Sequence, residues 1–279
     1  MLTALNVISP PSVLINGKPC ETLSVLDRGL QYGDGLFETI HIVDGRCQYW
    51  GEHVDRLELG CEKLGIQFPG RVDLSKDADS LIRPSQMGVL KIIVTRGVSN
   101  RGFRINPENP PNRVALLAAQ LQYPAKYYSE GVELVLCKQR LGNSPQLAGI
   151  KHLNRLEQVL ARREWDDEYQ EGLLLDQFGR VAEGTMSNVF IIEGQCLITP
   201  ALEACGVHGV IREQIIRKID TLGMRIKQED FTKQRLLEAD AVFMTNSIFG
   251  VWPVHSFEKR SWEPHPLIPR LLATLGFPT

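Results

Sequence analysis

The sequence predicts an α+β protein folded as two lobes. Three observations lead there. Strand-like runs are joined by tight turns such as Asn16-Gly17 and Asp44-Gly45, whose residues tolerate the positive φ of two-residue hairpins. Helix-periodic segments stand among these hairpins instead of alternating regularly with strands, which disfavours a doubly wound parallel sheet. The 279 residues exceed what one small core needs. We read residues 1–122 as a smaller α/β lobe, 123–130 as a connector, and 131–279 as a larger lobe.

Residues 1–12 end in Ser-Pro-Pro-Ser and read as a loose leader. VLINGKPC follows as a hairpin. In DRGLQYGDGLFETIHIVDGRCQYW the second half alternates as a strand, with Phe37, Thr39 and His41 on one side and Glu38, Ile40 and Ile42 on the other. GEHVDRLELGCEKLGI carries Val54, Leu57, Cys61 and Leu64 at helical spacing, with His53 and Arg56 three apart on another face. Residues 67–86 follow no pattern. GVLKIIVTRG and RVALLAAQLQ read as buried strands around the turn-rich loop SNRGFRINPENPP.

In the larger lobe GVELVLCKQR is a strand and GIKHLNRLEQVLARRE a helix with Lys151 at its mouth. The strand pairs GLLLDQFGRVAEG and NVFIIEGQCLITP come next, then the helix VIREQIIRKIDTLG. A strand, the short helix KQRLLEA, the strand DAVFMTN and a helix near 266–275 complete the chain.

Hydrophobic residues make up 43% and charged residues 23%, and the net charge is −2. That balance gives no basis for binding nucleic acid or an acidic membrane. The six cysteines are scattered without a C-x-x-C pair, against a zinc site or a secreted disulfide framework. MLTALNVISPP lacks the basic start and apolar run of a signal peptide, and VALLAA is too short to span a bilayer. A reducing cytoplasm is the expected location.

Four features carry candidate chemistry. Lys151 lies among His152, Asn154 and Arg155 and reads either as a solvated charge or as a nucleophilic amine. In GVHGVIREQ, Gly209, Val210 and Ile211 would present backbone N–H groups at a helix N-terminus, which favours an anion such as phosphate. In VAEGTMSNVF, Glu183 is either a turn carboxylate or the counter-ion of a buried cation, and Asn188 re-enters strand. In MTNS, Thr245 and Ser247 either donate to phosphate or cap a turn, and Arg56 is either a surface arginine or a phosphate ligand. An aldehyde, a ring nitrogen and a phosphate are the three handles these groups would hold, and pyridoxal phosphate has all three.

The segments LAGIKHLNRLEQVLAR, DRGLQYGDGLFET, HVDR at 53–56, VTRGVSNRGF and EGTMSNVF together resemble the fold-type IV pyridoxal-phosphate enzymes. Within these the chain is similar to the aminodeoxychorismate lyase family, from about Leu14 to Pro253. The resemblance implies a lyase that converts 4-amino-4-deoxychorismate to 4-aminobenzoate and pyruvate. It makes Lys151 the Schiff-base lysine and proton-transfer group, and Glu183 the partner of the pyridinium nitrogen. Arg56, Gly209, Val210, Ile211 and Thr245 would hold the phosphate, with Asn188 beside them. Thr39 would assist the departing oxygen, and Arg101 and Asn246 would meet substrate. Such enzymes act as homodimers in which a loop of the neighbour closes the site. The same residues would also serve a branched-chain or D-amino-acid transaminase.

Overall fold

In the computed structural model, residues 12–99 and 101–277 are described. The leader read from residues 1–12 lies outside them except for Ser12. Contacts group the chain into two units: one runs to Gln122 and adds Ile150–Asn154, and the other comprises Tyr123–Gly149 and the residues from Arg155 on. Lys151 therefore groups with the first unit, although the sequence assigned it to the larger lobe.

The first unit holds β1 (Val13–Ile15), β2 (Lys18–Pro19), α1 (Arg28–Tyr32), β3 (Gly35–Val43), β4 (Arg46–Cys47), α2 (Trp50–Leu64), α3 (Arg71–Leu81), β5 (Gly88–Thr95) and β6 (Asn112–Ala118). Its strands form one sheet in the order β2-β1-β6-β5-β3-β4, antiparallel at every pairing. Both expected hairpin turns form. Asn16 and Gly17 have φ of 51° and 79°, and Asp44 and Gly45 have 49° and 71°, which suits the strand twist. The unpatterned stretch 67–86 contains α3, whose Leu74, Ala78 and Leu81 are buried. Its apolar residues are too few to show against Asp73, Lys76, Asp77 and Asp79.

The motif DRGLQYGDG is a structural knot. Asp27, fully buried, accepts the N–H of Gly29, the hydroxyl of Thr95 and the amide of Asn112, each at 2.7 Å. It thereby caps α1 and ties that helix to β5 and β6. Buried Arg28 donates to Asp34 at 2.8 Å, to Ser99 Oγ at 3.1 Å and to the Gly102 carbonyl at 2.9 Å. Arg96 adds two further bonds to Asp34. Burial acts to raise the Asp34 pKa, but the hydrogen bonds from Arg96 and Arg28 hold it below the ordinary carboxylate value.

The second unit holds α4 (Lys126–Ser129), β7 (Val132–Leu141), α5 (Leu156–Arg162), β8 (Glu171–Asp176), β9 (Val181–Gly184), β10 (Asn188–Glu193), β11 (Cys196–Thr199), α6 (Val210–Lys218), β12 (Arg225–Gln228), α7 (Lys233–Glu238), β13 (Ala241–Asn246), β14 (Gly250–Phe257), β15 (Arg260–Ser261) and α8 (Leu267–Thr274). Its sheet runs β12-β11-β10-β13-β14-β7-β8-β9, with β15 on β14. Pairing is parallel at β11–β12, β7–β14 and β7–β8. The core packs Phe249 against Trp252 in a stack with centroids 3.8 Å apart, surrounded by Val189, Ile191, Met244 and Phe257. Strand β14 was not foreseen, because Pro253 interrupts its pattern. The α+β expectation holds, with a mixed sheet in the second unit.

Replacing Asp27 with Ala strands three donors at once, the buried Thr95 hydroxyl among them. Asp27→Ala is therefore expected to destabilise the protein by about 3 kcal/mol, seen as a lower urea midpoint. An unchanged midpoint would show that the knot carries no stability.

Candidate active site

The residues singled out in the sequence divide between the two units. In the first, Lys151 does not sit on a helix. Its carbonyl accepts the Phe37 N–H at 2.9 Å and the Leu153 N–H reaches the Gly35 carbonyl at 2.9 Å, while Leu36 and His152 form an antiparallel bridge. Strand pairing with β3 takes the hydrogen bonds that a helix start would need, so α5 begins only at Leu156. The expectation of a helix mouth at Lys151 is thus corrected. Its Nζ lies 4.5 Å from the centroid of the Phe37 ring, a cation–π distance. Thr39 is two residues along β3 from Phe37, hence on the same face, and is half-buried.

The opposite face of β3 carries Glu38, which is buried to 1% exposure. Arg56 grips it side-on, through Nε to Oε1 at 2.8 Å and Nη2 to Oε2 at 2.5 Å. His53 Nδ1 lies 2.6 Å from Oε2. An ionised carboxylate only accepts, so Nδ1 carries the proton and Nε2 is a bare acceptor. That Nε2 is buried and has no hydrogen-bond partner among the described residues. Burial by itself would raise the Glu38 pKa; the charge of Arg56 and the hydrogen bond from His53 outweigh it and bring the value to about 2. Burial lowers the His53 pKa and keeps the ring neutral; Glu38 opposes this, while the charges of Arg56 and Lys151 reinforce it. Lys151 is thus electrostatically coupled to this cluster. Sequence reading assigned Arg56 but missed Glu38 and His53 as its partners. The signal was present: Glu38 is a charged residue on the apolar side of an alternating strand.

In the second unit Glu183 ends β9 at 5% exposure, and its Oε2 accepts the Val207 N–H at 2.8 Å. The Nδ2 of Asn188, at the start of β10, donates to the Val207 carbonyl at 2.8 Å. Val207 is thus held through both its N–H and its carbonyl, which sets the loop leading into α6. Two glycines permit the fit. Gly206 has φ +81°, and a Cβ there would come within 3.1 Å of Glu183 Oε2; a Cβ on Gly209 would lie 2.0 Å from Asn188 Oδ1. Helix α6 starts after Gly209 with no side chain capping it, so the first-turn amides that include Val210 and Ile211 are not met by a capping side chain.

Thr245 is paired with Asn188 across β10 and β13. Its hydroxyl lies inward, donating to the Gly250 carbonyl at 2.6 Å. Asn246 is engaged in its own turn: Oδ1 accepts the N–H groups of Ile248 and Phe249, both at 2.9 Å, and Nδ2 donates to the Met186 carbonyl at 3.2 Å. Arg101 is exposed, on the loop whose Ser99 and Gly102 are anchored by Arg28. The sequence also gave no weight to Glu171. It is buried, and its carboxylate gathers Thr185 Oγ1 at 2.5 Å, Ser187 Oγ at 2.6 Å and the Thr185 N–H at 3.0 Å. That closes the turn between Glu183 and Asn188.

These groups fit pyridoxal phosphate. Within the first unit, an amine over an aromatic face suits an aldehyde and a held arginine suits a phosphate; within the second, a buried carboxylate suits a protonated ring nitrogen and an uncapped helix N-terminus suits an anion.

The Glu38 cluster makes folding sensitive to acid. A carboxyl whose folded pKa is near 2, against an ordinary 4.5, contributes stability in full above 4.5 and loses it as pH falls toward 2. His53 acts with the same sign, since its folded pKa lies below the ordinary 6.5. Between pH 5 and pH 2 the wild type should lose on the order of 3 kcal/mol more than Glu38→Gln, measured by urea unfolding. Parallel curves for the two proteins would exclude Glu38 as the cause.

Known proteins resemble this chain over most of its length. The chain is 37% identical over 245 residues to the aminodeoxychorismate lyase of Vibrio harveyi, covering 86% of this chain and 89% of that protein. It is 30% identical over 259 residues to the D-alanine aminotransferase of Listeria innocua, covering 87% and 86%. The crystal structure of 4-amino-4-deoxychorismate lyase from Pseudomonas aeruginosa superposes with a TM-score of 0.89 at 40% identity, covering 94% of this chain and 97% of that one. Residues 35–257 match the family described as amino-transferase class IV, and the chain belongs to that family.

Proposed function

We propose that this protein is a lyase that converts 4-amino-4-deoxychorismate to 4-aminobenzoate and pyruvate, a step toward folate, with pyridoxal phosphate as its cofactor. The class IV family is pyridoxal-phosphate-dependent. The observation that carries the reading is the seating of the Lys151 amine over Phe37, on the strand face that also bears Thr39. The greater likeness to the lyases than to the D-alanine aminotransferase selects between two reactions that use the same residues.

The cofactor, when bound, supplies an electron sink for charge that develops on the carbon bearing the amine. Everything else falls to the chain. Lys151 would hold the cofactor through its aldehyde, and the same Nζ would take the proton from that ring carbon. A free lysine amine has a pKa near ~10.4, so the acting form has to be neutral. Glu183 keeps the ring nitrogen protonated, and the Val207 N–H holds its carboxylate in place. Arg56 and the amides of Val210 and Ile211 bind the phosphate. Thr245 and Asn188 support the α6 end of that cradle. The Thr39 hydroxyl donates to the ether oxygen as its bond to the ring breaks. The ring becomes aromatic and the released enol becomes pyruvate. Arg101 meets a substrate carboxylate, and Asn246 shapes the turn beside Met186.

The working form is a homodimer in the cytoplasm. The dimer is what the resemblance to the fold-type IV enzymes implies. No helix among the described residues is long and apolar enough to cross a membrane.

A coupled assay should show 4-aminobenzoate and pyruvate formed in equal amounts from 4-amino-4-deoxychorismate. Formation of glutamate from an amino acid and 2-oxoglutarate, with no 4-aminobenzoate, would make the protein a transaminase instead. Lys151→Ala should abolish turnover and the borohydride-trappable adduct together; retained activity would remove the lysine from its role. Glu183→Gln should keep the cofactor bound yet slow turnover at least about 100-fold, and an unchanged rate would dismiss it.

A further inference from the structure

The Glu38–His53–Arg56 cluster has a construction that its proposed phosphate role does not by itself require. An arginine that only needs to meet an anion works well on a solvated surface. Here the guanidinium is instead held along its Nε–Nη2 edge by a buried carboxylate, with bonds of 2.8 and 2.5 Å. That grip turns Nη1 away from Glu38 and removes the rotational freedom an arginine normally retains. The carboxylate is in turn fixed by His53 at 2.6 Å, from the same helix α2, one turn before Arg56. Glu38 reaches the cluster from β3, so a strand and a helix are both locked to the orientation of one guanidinium. The outer nitrogen of His53 is buried and has no hydrogen-bond partner among the described residues.

We infer that Glu38 and His53 are positioning residues that pre-set Arg56 for the phosphate of the cofactor. Their contribution is to the phosphate end of the ligand, not to its aldehyde end. This rests on the reading that Arg56 is a phosphate ligand. The charge pattern agrees: Glu38 balances Arg56 and His53 is neutral, so the cluster adds no net charge until an anion arrives. Pre-organisation of this kind improves affinity by sparing the ordering of a flexible side chain at the moment of binding.

The test compares pyridoxal phosphate with pyridoxal, which lacks the phosphate, on apoenzyme of the full chain. Binding is read from the absorbance of the lysine adduct, and inorganic phosphate serves as a competitor. Glu38→Gln and His53→Asn should each weaken pyridoxal phosphate and inorganic phosphate by about tenfold or more, with pyridoxal affinity unchanged within about twofold. A merely structural role would lower pyridoxal phosphate and pyridoxal together, and that result, or unchanged phosphate affinity, overturns the inference. If one variant fails to fold, the other decides. Arg56→Ala is the reference. If it leaves the ratio of the two affinities intact, the phosphate reading of Arg56 falls and the inference with it. If it collapses the ratio while Glu38→Gln and His53→Asn do not, only the inference falls.

Discussion

Two main-chain hydrogen bonds between β3 and the segment Ile150–Asn154 set the terms for the rest of the first unit. Phe37 N–H to the Lys151 carbonyl and Leu153 N–H to the Gly35 carbonyl hold the lysine backbone in strand-like pairing. A helix would have thrown the side chain onto a cylinder whose orientation depends on packing. A paired strand directs it perpendicular to the sheet, onto the face of Phe37 and Thr39. Gly35 is part of the same constraint, since a Cβ there would approach the Val94 carbonyl to 2.4 Å and the Leu153 side chain to 2.8 Å. Gly35 therefore serves close backbone approach, and the position of the amine follows from that.

Buried carboxylates do similar work in three places. Glu38 holds Arg56 and His53, Glu171 holds the turn at residues 185–187, and Glu183 holds the Val207 peptide. Each removes a charge from water, which is tolerable only because donors converge on it. Each also restricts a neighbouring element to one geometry. The shared logic is that polar groups are buried where orientation matters, and apolar ones where packing suffices. In the second unit the apolar part is the stack of Phe249 on Trp252 and its neighbours.

Much of the fold was legible because local rules governed it. The Asn16-Gly17 and Asp44-Gly45 turns followed from residues that accept positive φ, and α2 from the spacing of Val54, Leu57 and Cys61. Where the reading failed, a longer-range effect had overruled the local pattern. Helix α3 hid its three buried apolar residues among charges, β14 hid behind Pro253, and α5 lost its first turn to the pairing with β3. Among site residues, Lys151, Arg56 and Glu183 stood out by chemical type. Glu38, His53 and Glu171 did not, because a carboxylate or imidazole announces itself only through the groups that face it.

Sequence alone determined the two hairpin turns, the helix α2 and the α+β class, and it singled out an amine, a carboxylate and a guanidinium as candidates to hold a phosphorylated aldehyde. These are properties of residue chemistry and of periods two to four residues long. Only the tertiary structure decided that Lys151 lies on a strand-paired segment over Phe37. It also decided that Arg56 is gripped from behind by Glu38, and that the Thr245 hydroxyl and the Asn246 amide face their own turn. The reason is physical: hydrogen bonds between residues far apart in the chain compete with local preference, and which of them wins depends on what folding has buried beside them.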